Sequence, residues 1–182
     1  TKAKEQTLHA KPEEGGGCLM EYAAHLIDRI NYLIAPITAV HGADLMSFYS
    51  ASVEDAVSCL LETQNGIHGT INVNWSDDTF RKMSTSITIL GSKGKLTVDS
   101  TELKVYFREE QPLENYTKGW NVRHINALSP HVDFYLRGEE YSLQIDHFVN
   151  VLEGRALNNI NTFESALQTD KVIQQIKNHK TN

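Results

Sequence analysis

The chain has 182 residues, of which 40% are hydrophobic and 22% are charged, and its formal net charge is −6 at pH 7. This composition is typical of a globular protein, and the negative charge argues against a general nucleic-acid-binding surface. No apolar run reaches the roughly 18 residues of a membrane-spanning helix, so we expect neither a nucleic-acid partner nor a membrane partner.

The cysteines indicate a cellular location, and the chain length indicates the number of domains. Cys18 and Cys59 cannot form the disulfide framework of a small secreted protein, which favours a reduced, cytoplasmic location. A chain of this length can form one core and no linker divides it, so we predict a single domain over residues 1–182. Because the chain begins with Thr1 rather than Met, we expect it to be a processed or excised piece of a longer protein.

The stretch from Gly15 to Ile34 is predicted to be a glycine-rich turn followed by a helix. The helix should run to about Ala35, because Pro36 disfavours helical backbone in the residue before it. Its apolar residues recur at intervals of three and four, the period of an amphipathic helix: Leu19, Met20, Ala23, Leu26, Ile27, Ile30, Leu33 and Ile34.

Three polar residues interrupt the apolar pattern of this helix. Glu21, His25 and Asp28 are separated by four and then three residues, which places them on one face about one turn apart. A mostly apolar helix that carries an acid, an imidazole and a second acid in line is unusual, so this helix is our candidate for the chemistry.

A β-hairpin is predicted after this helix. From Glu54 onward apolar and polar residues alternate with the period of a strand, and Gln64–Gly66 contains an Asn-Gly pair that favours a tight turn. The return strand, Ile67–Trp75, has one apolar face, and its other face is polar: His68, Thr70, Asn72 and Asn74.

The rest of the chain predicts more strands and then two helices. A second hairpin joins residues 84–90 to residues 95–99, and residues 103–108 alternate as a further strand. Residues 141–153 and 163–179 have helical apolar spacing, with Asn161 and Glu164 spaced as a capping pair before the second helix. Strands joined by hairpins are antiparallel, so we predict an α+β fold with an open, mostly antiparallel sheet and helices packed on one face.

The sequence lacks the common nucleotide-binding motifs. It contains no GxGxxG, no GxxxxGK[ST] and no repeated βαβ unit. The segment Gly91–Gly94 has glycines like those of a phosphate-binding loop, but it joins two strands rather than a strand and a helix. We therefore interpret it as a hairpin turn. We therefore assign no cofactor-binding residue to this chain.

Four segments resemble one known family, and they occur in the same order. The first segment, GGGCLMEYAAHLID, resembles the glycine-rich Asp-x-x-x-His motif that opens the second domain of the Gfo/Idh/MocA oxidoreductases. Two hairpins of that domain resemble EDAVSCLLETQNGIHGTINVNWS and SITILGSKGKLTVD. Its two closing helices resemble YSLQIDHFVNVLEGR and TFESALQTDKVIQQI. The resemblance covers about residues 13–178.

The resemblance implies one half of a two-domain enzyme. In that family an N-terminal Rossmann domain binds NAD or NADP and supplies a catalytic lysine. The second domain, of the dihydrodipicolinate reductase-like type, supplies the substrate pocket and an open sheet used for oligomerisation. This chain would be the second domain without the Rossmann domain, and by itself it should not catalyse hydride transfer.

The resemblance also implies roles for individual residues. His25 matches the family's catalytic or substrate-orienting histidine, and Glu21 matches an acidic position that is more usually Asp. We take these two residues as catalytic, with His25 assisting proton transfer. Asp28 is taken as a substrate-binding residue from its position one turn later on the helix, not from the resemblance. Arg81, in a polar loop after Trp75, is taken from its chemistry as a second substrate-binding residue, because guanidinium groups bind anionic or polyhydroxylated ligands well; the alternative is a solvated side chain beside a core tryptophan.

These inferences give one leading hypothesis and several alternatives. The chain is interpreted as the substrate-binding and oligomerisation domain of an NAD(P)-dependent oxidoreductase acting on a sugar, cyclitol or related polyol. It would form a homodimer or tetramer through the polar face of strand 67–75, which could otherwise be simply solvated. One alternative is a non-catalytic module that keeps the fold for ligand binding or assembly.

Two further alternatives concern the helix itself. His25 could be a structural histidine bonded to Glu21, or these two residues could share a metal ion in a lyase or isomerase. No other histidine has ligand spacing to a second carboxylate or cysteine along the sequence, so we assign no metal ligands.

Overall fold

The computed structural model describes residues 15–77, 79, 84–110, 113, 115–128, 131–134, 139–156 and 158–179. The chain divides into two compact units, one formed by residues 1–78 and 160–182 and the other by residues 79–159. Both units contain antiparallel strands and helix, which confirms the predicted α+β class. The assignment of residues 1–182 to one domain stays a prediction.

In the first unit the predicted helix forms, but its first turn is not α-helical. Leu19–Ala23 is a π-helical turn, in which the Ala24 N–H donates to the Leu19 carbonyl oxygen, and helix α1 follows as Ala24–Leu33. Apolar spacing predicts which face is buried, but over a single turn it does not distinguish these two hydrogen-bond patterns. The helix ends before Pro36, as predicted.

Three strands form the sheet of the first unit: β1 (Ile37–Met46), β2 (Ala56–Thr63) and β3 (His68–Asn74), in the order β1-β2-β3. Both pairs are antiparallel. The hairpin between β2 and β3 lies where the Asn-Gly pair predicted it. Four residues separate the two strands, and the Thr63 N–H donates to the Ile67 carbonyl oxygen, so three residues lie inside this hydrogen bond; among them only Gly66 has a positive φ, of +70°. This is the geometry of a turn that ends in a glycine bulge rather than a two-residue turn.

The core of the first unit lies between one face of this sheet and two helices. Helix α3 (Phe163–Asn178), which comes from the C-terminal part of the sequence, packs on this face beside α1. The buried side chains come from all of these elements: Leu19, Ala23, Ile27, Ile37, Val40, Val57, Cys59, Leu61, Ile71, Val172, Ile173 and Ile176. The opposite face of the sheet carries polar side chains, as the alternation in β3 predicted.

Helix α3 begins one residue later than its predicted capping pair requires. Thr162 has extended backbone and is the N-cap, and its hydroxyl oxygen accepts a hydrogen bond of 3.1 Å from the Ser165 N–H. The Ser165 hydroxyl in turn accepts from the Thr162 N–H at 3.0 Å. The predicted pairing of Asn161 with Glu164 is therefore wrong, because serine at the third helical position completes the box in place of an acid.

The second unit contains a four-stranded antiparallel meander: β4 (Ser86–Gly91), β5 (Gly94–Asp99), β6 (Glu102–Phe107) and β7 (Gly119–His124). A short 3-10 turn, Ile125–Ala127, follows β7. A Cβ at Gly94 would collide with the Tyr106 carbonyl oxygen of the neighbouring strand, so this glycine lets β5 and β6 approach.

Helix α2 (Glu139–Leu152) also belongs to the second unit, and its apolar face is exposed. The four residues that define that face were expected to pack on a sheet, and all of them are exposed: Ile145, Phe148, Val149 and Leu152. Helical spacing predicts that such a face exists but not what covers it. None of the described helices is long and apolar enough to cross a membrane.

Candidate functional site

The helix that carries the predicted catalytic residues begins against Glu54. Gly17 has a φ of +114°, and a Cβ there would collide with the Glu54 carboxylate, so glycine is required. The Leu19 N–H donates to Glu54 Oε1 at 2.9 Å, and the Cys18 N–H donates to the Glu54 carbonyl oxygen at 3.1 Å. A carboxylate at this end of a helix satisfies free N–H groups and is attracted by the helix dipole. Glu54 therefore fixes where the helix begins.

Three of the four predicted site residues lie on this helix. Glu21 is half-buried in the π-helical turn, whereas His25 and Asp28 lie in α1 with exposed side chains. The wider π turn means that Glu21 and His25 are not related by regular α-helical geometry. Their joint action on a substrate stays a prediction. Arg81, the fourth residue, lies outside the described residues.

An aromatic contact supports the same turn from the sheet. The rings of Tyr22 and Trp75 meet edge to face, with 6.1 Å between their centroids. Trp75 follows β3, and its indole Nε1 donates a hydrogen bond of 2.8 Å to Asp55 Oδ1. Tyr22 lies three residues before His25, so this chain of contacts connects the sheet to the helix that carries the candidate histidine.

Asp55 is a buried carboxylate that sequence analysis missed. Its Oδ2 accepts hydrogen bonds of 2.7 to 2.9 Å from the N–H groups of Phe48, Tyr49 and Ser50, and its Oδ1 accepts from the Ser50 hydroxyl at 2.6 Å. Burial alone would raise the pKa of the Asp55 carboxyl, but the donors from Ser50, Trp75 and Tyr49 outweigh it and hold that pKa well below its ordinary value. Asp55 is therefore an ionised structural anchor. Its only sequence signal is an acid directly before an apolar strand.

The outward face of the first sheet is polar and carries a shallow groove. The groove has a volume of about 320 Å³ and is lined by residues of all three strands, among them Asp44, Ser58, Thr70 and Asn72. The Ser58 hydroxyl donates to Asn72 Oδ1 at 2.9 Å across β2 and β3. Burial raises the pKa of the neighbouring Cys59 thiol to about 11, so this cysteine is no candidate nucleophile.

At one end of that face the sheet brings together His41, Glu62 and His68. These residues come from β1, β2 and β3, and their ligand atoms lie within 4.8 Å of one another. Spacing along the sequence could not reveal this cluster, because its members are 21 and 6 residues apart and meet only through strand pairing.

A family model matches more than half of the chain. It describes the GFO/IDH/MocA C-terminal domain, and the match covers residues 2–97. The matched region includes the helix with Glu21, His25 and Asp28 and the whole of the first sheet. A comparison with curated proteins returns no significant match.

Solved oxidoreductase structures share the fold at low sequence identity. The WlbA dehydrogenase from Bordetella pertussis, in complex with NADH and UDP-GlcNAcA, is 22% identical with a TM-score of 0.60, over 90% of this chain and 42% of that one. A levoglucosan dehydrogenase, in complex with NADH and levoglucosan, is 20% identical with a TM-score of 0.67, over 92% and 50%. KijD10, a 3-ketoreductase from Actinomadura kijaniata in complex with NADP, is 14% identical with a TM-score of 0.69, over 96% and 49%. The chain thus spans about half the length of these structures.

Proposed function

Because the chain belongs to the GFO/IDH/MocA C-terminal domain family, we propose that it is the substrate-binding domain of an NAD(P)-dependent oxidoreductase acting on a sugar, cyclitol or related polyol. The observation that carries the proposal is the family match over the helix with His25 and the adjoining sheet. Proteins of the same fold include dehydrogenases in complex with NADH and a sugar ligand, and a 3-ketoreductase in complex with NADP, which supports this class of substrate and cofactor.

The nicotinamide cofactor is assigned to a part of the protein other than this chain. The sequence carries no dinucleotide fingerprint, so no residue of the chain is proposed to hold the pyrophosphate. A bound nicotinamide would supply the acceptor for the hydride that leaves the substrate carbon bearing the reacting hydroxyl. The chain's own residues bind the polyol and take up the proton that the hydroxyl loses.

We assign that proton transfer to His25. An imidazole ordinarily titrates near neutral pH, which suits it to accept a proton from an alcohol and to return it in the reverse direction. The exposed position of His25 in α1 leaves its ring accessible to a ligand. Glu21, half-buried one turn earlier, would orient the imidazole or accept a hydrogen bond from a second substrate hydroxyl, and Asp28 and Arg81 would contact the remaining hydroxyl groups or an anionic substituent.

The outward face of the first sheet is proposed as the contact between copies of the protein. Its shallow groove is lined by residues of all three strands, so two copies could meet there in a symmetric contact. We propose a homodimer or tetramer built on this face.

The function is tested with the protein as its source expresses it. Reduction of NAD⁺ and of NADP⁺ is followed by absorbance with a panel of sugars, cyclitols and sugar nucleotides. The proposal predicts turnover with at least one polyol and one of the two cofactors. If neither cofactor were reduced with any member of the panel, while a sugar still bound, the non-catalytic module would replace the proposed enzyme.

A further inference from the structure

Three side chains with metal-binding atoms converge on the outward face of the first sheet. Glu62 and His68 are direct partners in the register of β2 and β3. His41 lies in β1 at a register irregularity between Val40 and Gly42, which turns its ring toward the same neighbours. The ligand atoms of the three residues all lie within 4.8 Å of one another.

The cluster has the donor set of a transition-metal site. His41 Nε2 lies 2.7 Å from Glu62 Oε2, and the rings of His41 and His68 are 5.8 Å apart between centroids. Two imidazoles with one carboxylate form a ligand set that Zn²⁺ uses in proteins, and imidazole nitrogen also suits Cu²⁺ and Ni²⁺. Oxygen-seeking ions such as Ca²⁺ and Mg²⁺ do not favour two nitrogen donors.

We propose that His41, Glu62 and His68 form a binding site for a divalent metal ion of the Zn²⁺ class. Metal–ligand distances of about 2.1 Å in a tetrahedral site separate two ligand atoms by about 3.4 Å. Ligand atoms within 4.8 Å reach that spacing by side-chain rotation alone, since His41 and Glu62 are partly exposed and their strands are already paired. Three protein ligands leave one position for water or a ligand from another molecule.

A simple ion pair accounts less well for the same arrangement. An exposed His–Glu pair adds little stability, and it needs only one histidine. Here a second imidazole is held beside the first, and two protonated rings this close would repel each other. A shared cation is attracted by the carboxylate and binds both rings in their neutral form.

This site is separate from the one assigned to His25. The helix α1 packs on the buried face of the sheet, through side chains such as Ile27, Val57 and Leu61. Glu62 and His68 belong to the alternate positions of their strands, which point away from that core. The metal proposal therefore holds or fails independently of the catalytic role assigned to His25.

The test is a titration of the metal-free full-length protein with Co²⁺, which absorbs visible light strongly in tetrahedral sites, followed by displacement with Zn²⁺. We expect a saturable visible band with one ion per chain. Replacement of a ligand in His41→Ala, Glu62→Gln or His68→Ala should weaken binding by at least about tenfold. Zn²⁺ should also raise the melting temperature of the wild type but not of Glu62→Gln, because an ion that binds only the folded chain stabilises it.

His124→Ala is the matched control. His124 lies opposite Glu102 in the register of β6 and β7, as His68 lies opposite Glu62, but the described residues place no third ligand beside it. This variant should bind Co²⁺ like the wild type. The proposal is overturned if no visible band appears, if the band persists unchanged in all three ligand variants, or if His124→Ala abolishes it equally. Circular dichroism of each variant establishes that the fold is retained.

Discussion

The indole of Trp75 donates from Nε1 to the buried carboxylate of Asp55 over 2.8 Å. This bond joins the residue that follows β3 to the residue that precedes β2. Asp55 also accepts hydrogen bonds from the backbone N–H groups of residues 48–50. Trp75 in turn contacts Tyr22 in the π-helical turn. The stability of this part of the first unit should therefore depend on a single carboxylate.

Replacing Asp55 by asparagine should destabilise the protein strongly. The amide group would present donors of its own to several N–H groups around the buried Asp55 side chain, which leaves hydrogen bonds unmade at a cost of about 2–4 kcal/mol in the free energy of unfolding. Urea unfolding measures this loss. Asp170→Asn, at an exposed position in α3, is the control and should change the free energy by less than about 0.5 kcal/mol. An equal loss in both variants would contradict the role assigned to Asp55.

The same carboxylate predicts an acid-dependent loss of stability. Its hydrogen bonds lower the pKa of Asp55 in the folded state, so its stabilising effect is fully present above the unfolded pKa of about 4. That effect is lost as the pH falls from there through the lowered folded pKa. The unfolding free energy of the wild type should decline steeply below about pH 4. In Asp55→Asn the decline should be shallower; parallel curves for the two proteins would refute the linkage.

The proposed contact between copies predicts a change in assembly. Thr70 and Asn72 line the groove on the outward face of the first sheet. The double variant Thr70→Arg with Asn72→Glu places large charged groups there, which should prevent a close symmetric contact and lower the mass measured by sedimentation. A pair of substitutions in the second unit, Thr88→Arg with Lys95→Glu, serves as the control and should leave the mass unchanged. An unaltered oligomer in the first variant would place the interface elsewhere.

Local periodicity predicted the elements of this chain well. The alternation in β3 and the Asn-Gly pair located the hairpin, and the glycines at positions 91 and 94 located the next one, because turn residues act over two to four positions. The apolar spacing of the π-helical turn and α1 likewise identified Leu19, Ala23 and Ile27 as buried.

Local periodicity could not predict features that depend on residues far apart in the sequence. Glu54 and Asp55 act on groups brought near by folding, and His41, Glu62 and His68 meet only when three strands pair. The apolar face of α2 was predicted, but its exposure was not, because periodicity describes one element and burial needs a second. The candidate catalytic residues came from one helix, but the π-helical turn that contains Glu21 shows that sequence spacing did not fix their geometry even there.

The most direct test of the proposed function is the effect of His25→Ala on the protein as its source expresses it. If His25 transfers the proton, kcat should fall by about 10²–10⁴-fold while the affinity for NAD(P) stays the same. His179→Ala, which removes an exposed histidine at the end of α3, should retain wild-type turnover. Turnover that survives in His25→Ala at the wild-type level would contradict the assignment of this helix as the catalytic element.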